Sequence, residues 1–201
     1  MPSLTIHLAV GMEYLKNFEI LNKEMFLDGV MAPDLLGRQG KVQKRQAHFS
    51  DKCSDFATFQ KACESYVNLY SYLSKKDIKN DYDRGYFLHL LTDYLFYTKF
   101  VFEQVFKKDK TIDENSYCPK FFYDDYNCVD KHIEAKYNVN NSKNPWAGKG
   151  EEGEPKYLKK TDLYKFIDLC SKIDLEKLRE KVLTNKDDWQ KEVKNFINKN
   201  F

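Results

Sequence analysis

The 201-residue sequence predicts an all-α fold, a helical bundle around one long central helix, and three observations carry that prediction. Apolar residues recur at helical spacing along most of the chain, the pattern of helices that turn one face to a core. Glycine (8) and proline (5) are scarce, which disfavours a turn-rich all-β fold. The stretch from Asp81 to Lys107 is apolar around nearly its whole circumference between Phe87 and Phe102, as befits a helix at the centre of a bundle.

The elements follow in chain order. Leu4, Leu8, Met12 and Leu15 predict a first amphipathic helix from Leu4 to Phe18. A short second helix is expected from Lys23 to about Val30, interrupted at Met31-Ala-Pro-Asp34 because proline disfavours helical geometry in the residue before it. Gly37 to Ser50 is polar, basic and glycine-containing, and reads as a loop. A third helix is expected from Asp55 to Lys75, then the central one, then another from Phe121 to Val139. Asn140 to Pro155 carries Asn, Gly, Pro and charge without periodicity and is the long loop. From Thr161 to Phe201 two or three helices are expected, with Thr161 and Asp174 as N-caps and Leu175, Leu178 and Val182 as an apolar stripe. The whole reads as one domain over residues 1–201: a bundle over 1–139, a loop over 140–160, and C-terminal helices over 161–201 that cover the bundle or append to it.

Charge and cysteine content narrow the function classes. Thirty-three basic against 31 acidic residues give a net charge of +2, too small to drive nucleic-acid binding by charge alone or to support membrane association. Five cysteines without CxxC spacing do not read as a disulfide framework or a thiolate zinc site. The N-terminal segment lacks the basic and apolar regions of a secretory signal, so a cytoplasmic location is expected.

Histidine is rare, and its four positions are the informative ones: 7, 48, 89 and 132. On the central helix, His89 and Asp93 are four residues apart and therefore share a face. In apolar surroundings an ionised carboxylate needs a partner or a cation, so the pair is either a buried ion pair or part of a metal site. Asp34 follows the proline break, His48 ends the polar loop, and His7 lies among apolar neighbours on the first helix. Each has an ordinary alternative: a helix cap, a surface histidine, a core histidine. Together, three His and two Asp supply the nitrogen and oxygen donors that zinc prefers. Arg38 and Arg45 are candidate contacts to a substrate phosphate, or else parts of a solvated basic loop.

The order His7, Pro33-Asp34, His48, His89-xxx-Asp93 on an all-helical chain resembles the zinc-dependent phospholipase C and single-strand nuclease superfamily, and within it the small intracellular bacterial phospholipase C-like proteins. The resemblance covers roughly residues 1–100. It implies a bundle-embedded zinc cluster that activates water against a phosphodiester. Asp34, His48, His89 and Asp93 would form one complete zinc site, and His7 with the bridging carboxylate of Asp93 part of a second. The family's secreted members add the mature N-terminal amine, five residues before the first histidine; here Pro2 stands there once Met1 is removed, where the family has Trp. The third ion's ligands are missing: Lys99 stands six residues after Asp93, where the family has histidine, and Lys136 stands four after His132, where it has an acid. Lys99 is thus either a fixed charge for a phosphate oxygen or a surface lysine, and His132 an exposed helical histidine more readily than a ligand. Tyr94 and Tyr97 flank the pair as pocket or core residues, and Trp189 and Phe196 belong to the C-terminal helices.

The expectation is a one- or two-zinc hydrolase of phosphate esters, phospholipase C-like, acting on a small phosphate ester or a phospholipid head group, with Asp34 or Asp93 as proton acceptor. Its competitors are a zinc-stabilised binding or regulatory protein that has lost catalysis, and a metal-free bundle whose His–Asp pairs are structural.

Overall fold

Residues 2–40, 42–49, 66–106, 109, 118–139, 153–184 and 191 are described by the structure, a computed structural model. Helix α1 (Leu4–Asn17) begins at a cap: the Ser3 hydroxyl accepts the Ile6 N–H and donates to Asp130 Oδ1 at 2.6 Å. Leu4, Ile6, Leu8, Ala9 and Val10 are all buried, so its first half is enclosed on nearly every side.

Helix α2 (Lys23–Arg38) is capped by Asn22 and runs straight through Pro33, where a break was expected. The reason is tertiary. Proline inside a helix costs about 3 kcal/mol in isolation, but α2 lies against α5 (Asp81–Leu95) so closely that the two backbones touch. A Cβ at Gly29 would stand 2.0 Å from the Tyr82 carbonyl oxygen, and one at Gly85 would stand 2.0 Å from that of Phe26. The starts of the two helices are joined as well, the Asn22 N–H donating to Asp81 Oδ2 at 2.6 Å.

The expected loop from Gly37 to Ser50 is replaced by the last turn of α2 and a one-turn helix α3 (Lys44–Ala47), which a reciprocal cap between Gln43 and Gln46 closes. Helix α4 (Tyr66–Leu73) is the described part of the third expected helix. The expected element's beginning, from Asp55, lies outside the described residues.

The central helix is not one uniform α-helix from Asp81 to Lys107. Past Leu95 its hydrogen bonding changes, and Phe96–Phe106 is a π-helical extension with Phe96, Tyr97, Phe100, Val101 and Val105 buried. The wider i→i+5 turn shifts the positions after Leu95 away from where α-helical spacing would project them. Helix α6 (Cys118–Tyr137) follows, then α7 (Lys160–Ser171) and α8 (Leu175–Thr184). The cap of α7 is Lys159 instead of Thr161, whereas Asp174 accepts the Lys177 N–H at 3.1 Å as expected.

The result is an all-α bundle. Helix α1 packs against α2, α6 and α7, and α5 is sandwiched between α2 and α4. One apolar cluster runs from Leu4 to Val182, so α7 and α8 pack into the same core as the N-terminal helices. Ahead of α7, the buried Asp125 carboxylate accepts the backbone N–H groups of Lys156, Tyr157 and Leu158 at 2.7, 2.6 and 2.8 Å. Most of the expected 140–155 loop, and the segment with Trp189 and Phe196, lie outside the described residues. Among the described residues, no helix is long and apolar enough to cross a membrane.

Candidate metal centre

Five side chains from four helices meet where α1, α2, α3 and α5 come together: His7 on α1, Asp34 on α2, His48 capping α3, His89 and Asp93 on α5. All are at most 2% exposed. Asp93 is the hub. Its Oδ2 faces His89 Nε2 at 3.5 Å and His48 Nε2 at 3.7 Å, while its Oδ1 faces His7 Nε2 at 3.4 Å. Asp34 Oδ1 stands 3.6 Å from His48 Nε2 and 3.7 Å from Lys44 Nζ. These separations exceed those of hydrogen bonds. Two atoms that each bind a tetrahedral zinc at its usual bond lengths lie about 3.4 Å apart, which is close to what is seen.

Local structure aims each donor. The Val30 carbonyl accepts from His89 Nδ1 at 2.7 Å, and the Lys44 carbonyl accepts from His48 Nδ1 at 2.8 Å. A carbonyl can only accept, so in both rings Nδ1 carries hydrogen and Nε2 is turned to the carboxylates. This is the arrangement in which backbone carbonyls orient ligating imidazoles. His48 is further fixed from both sides. The Tyr86 hydroxyl donates to the Ala47 carbonyl, and Phe49 sits at φ +55° with its ring edge-on to Tyr72 and Tyr86. A bulky residue in left-handed backbone is strained by about 1 kcal/mol or more and persists where packing dictates it. His7 stacks on His89 with ring centroids 3.7 Å apart and planes 8° from parallel.

Burial and the two carboxylates pull the imidazoles of the cluster in opposite directions. Burial drives the His48 pKa down to about 4, and burial together with His89 lowers that of His7. His89 shifts upward, because Asp93, Asp34 and the Val30 carbonyl outweigh its burial. Against the upward push of burial, His89, His48 and Lys44 hold Asp34 below the usual carboxylate range, and His7 and His89 hold Asp93 well below it. Three of the four carboxylate oxygens nevertheless lack hydrogen-bond donors. Asp34 Oδ1, both oxygens of Asp93, His89 Nε2 and both ring nitrogens of His7 are buried without one. Unpaired buried polar atoms each cost about 1–3 kcal/mol, and a cation would serve them together.

Two donor triads can be drawn, His7–His89–Asp93 and Asp34–His48–His89, each with ligating atoms within 4.8 Å of one another. They share His89. Its Nδ1 being taken by Val30, that ring has one lone pair and serves one ion. A second ion would rest on Asp93 Oδ1 and His7.

The other expected residues fall elsewhere. Arg38 ends α2 and Arg45 lies in α3, but their side chains lie outside the described residues. Lys99 is half-buried on the π-helical extension. Tyr94 and Tyr97 are buried members of the apolar core. His132 is exposed on α6, its Nε2 3.0 Å from Lys160 Nζ. Sequence reasoning missed Lys44, although its place four residues before His48 was a signal. It also missed the Val30 carbonyl, which has no signal in side-chain identity.

No protein-family model matches the chain, and no curated protein or solved structure matches it either.

Proposed function

We propose that the protein is a metal-dependent hydrolase of phosphate esters, with zinc held by His48, His89, Asp34 and Asp93 and a second ion at His7 and Asp93. The observation that carries the metal is the convergence of five buried donor side chains, among which Asp34 Oδ1, both Asp93 oxygens, His89 Nε2 and the His7 ring nitrogens have no hydrogen-bond partner. The phosphate-ester chemistry rests on the order of these residues in the chain and its resemblance to the zinc-dependent phospholipases C. A zinc ion bound there would lower the pKa of its water to about 7 and polarise a phosphoryl oxygen. Within the chain, Asp93 serves chiefly as ligand, since imidazoles from α1, α3 and α5 surround it. Asp34 is the better proton acceptor, because one imidazole faces it where three face Asp93. A small phosphate ester and a phospholipid head group offer the same phosphoryl group.

The experiment is metal analysis of the purified protein followed by hydrolysis assays on generic phosphodiesters and phosphomonoesters. Bound zinc with turnover that disappears in His48→Ala and Asp93→Asn, while the fold persists, supports the reading. Protein that takes up no zinc overturns it.

One observation favours a second reading. No donor is more than 2% exposed, and a catalytic ion needs an open position for water or substrate. A zinc-stabilised binding or regulatory protein fits that burial. It predicts tightly held zinc, no turnover, and a His89→Ala variant that loses stability alone.

A further inference from the structure

Lys44 touches the cluster at both ends of its side chain's reach. Its carbonyl orients His48, and its ammonium stands 3.7 Å from Asp34 Oδ1. The residue begins in a tightly packed place: a Cβ on Gly37, in the last turn of α2, would lie 3.1 Å from Lys44 Cα. Its side chain nevertheless ends half in water, 49% exposed, while Asp34 is 2% exposed. Lys44 thus joins an otherwise buried site to solvent.

The contact falls on one particular atom. Asp34 Oδ1 is the oxygen that faces His48 Nε2, and it has no hydrogen-bond donor. A divalent cation bound between Asp34 and His48 would take that same oxygen. Two cations cannot both be served by one carboxylate oxygen without repulsion, so the ammonium must leave when the ion arrives. It leaves on a flexible four-carbon stem, anchored at the rim of the site, next to the ion that displaced it.

Resting on the metal-centre reading above, we propose that Lys44 is an anion-binding residue that serves two partners in turn. In the metal-free protein it neutralises Asp34; with the cation bound it holds a phosphate oxygen of the ligand. Metal and anion binding are then coupled. Without an anion, Lys44 opposes the metal; with one, the displaced ammonium gains a new partner and the metal binds more tightly. Linkage requires the reciprocal effect on the anion.

The test measures zinc affinity of the full chain by competition with a chelator, with and without inorganic phosphate. In the wild-type protein phosphate is expected to tighten zinc by about fivefold or more, the lower end of ordinary coupling between sites. Lys44→Met keeps the apolar stem and the backbone carbonyl. It is expected to bind zinc several-fold more tightly than wild type in the absence of phosphate and to lose the phosphate effect. Lys44→Arg is expected to keep that effect. An unchanged zinc affinity in Lys44→Met, or a phosphate effect that survives there, overturns the assignment. Wild-type protein that takes no zinc, with or without phosphate, overturns the metal centre itself. Zinc lost in His48→Ala but held by Lys44→Met as by wild type removes only the role of Lys44.

Discussion

His89 illustrates how one ring can be both anchor and ligand. Its Nδ1 is committed to Val30 and its Nε2 to the side of Asp93, so its protonation state decides whether the cluster is ready for a cation. Because its pKa is raised above 6.5, it is mostly protonated at pH 6.5 in the metal-free protein. Zinc uptake at that pH is therefore expected to release protons. Titration calorimetry in buffers of different ionisation enthalpy measures it, and proton-neutral binding would contradict the ligand role. The same shifts fix the pH dependence of metal-free stability. The unfolded His48 ring takes a proton near pH 6.5, the folded one not until about 4. Between those values the unfolded chain binds more protons, so stability falls as pH falls. His7 acts in the same direction. The lowered carboxylates of Asp34 and Asp93 add stability above the ordinary value of 3.8 that is lost on further acidification. His89 opposes, contributing below 6.5 and losing its share as pH rises through its folded value. Below pH 6.5 the share of His89 is already fully present, so the two lowered imidazoles decide the sign, and stability is lost on acidification from pH 6.5 to 4.5. Thermal melting of chelator-treated protein across that range checks the sign.

Among the elements, the α2–α5 pair decides the geometry of the site. Helix α2 supplies Asp34 and the Val30 carbonyl, and α5 supplies His89 and Asp93. Their spacing is set where Gly29 and Gly85 let the backbones meet. Gly85→Ala would place a methyl 2.0 Å from the Phe26 carbonyl oxygen, so the helices must part. The expected cost is about 1–3 kcal/mol or more, with zinc affinity falling alongside it, because the donors are split across the two helices. Gly11→Ala meets only side chains, Leu27 at 3.1 Å and Val30 at 3.3 Å, and its cost is expected to be smaller. Denaturant melts and zinc titration of both variants test this, and a Gly85→Ala protein that binds zinc like wild type would separate the site from the crossing. The π-helical extension is the other decisive element. It begins three residues after Asp93, at Phe96, and carries Lys99 off the α-helical projection that sequence spacing assumes.

For the whole molecule, the cluster lies where α1, α2, α3 and α5 meet, so a bound ion would tie together helices that are distant in the chain. Zinc in hundredfold excess over its dissociation constant is expected to add about 2.7 kcal/mol. For a chain of this size that raises the melting temperature by roughly 5–10 °C. A melting temperature unmoved by zinc or chelator would count against a resident metal. The fold class and the site were unequally legible in the sequence. Helical periodicity and the scarcity of glycine and proline suffice for an all-α bundle, because amphipathic spacing is a local property of neighbouring residues. The four-residue spacing of His89 and Asp93 likewise places both on one face without any tertiary information. Chain order alone could not decide whether Pro33 breaks α2. A local propensity argues for the break, and the packing of α2 on α5 overrides it. Nor could it separate His48 as a surface residue from His48 as a buried donor, since that depends on Tyr72 and Tyr86, from other parts of the chain, packing against Phe49 beside it. Residue types and their short-range spacing thus determined the fold class and the list of donors. Their convergence, their tautomers and the contact of Lys44 with Asp34 were decided by tertiary structure alone, because each depends on a distance between groups that the chain brings together only by folding.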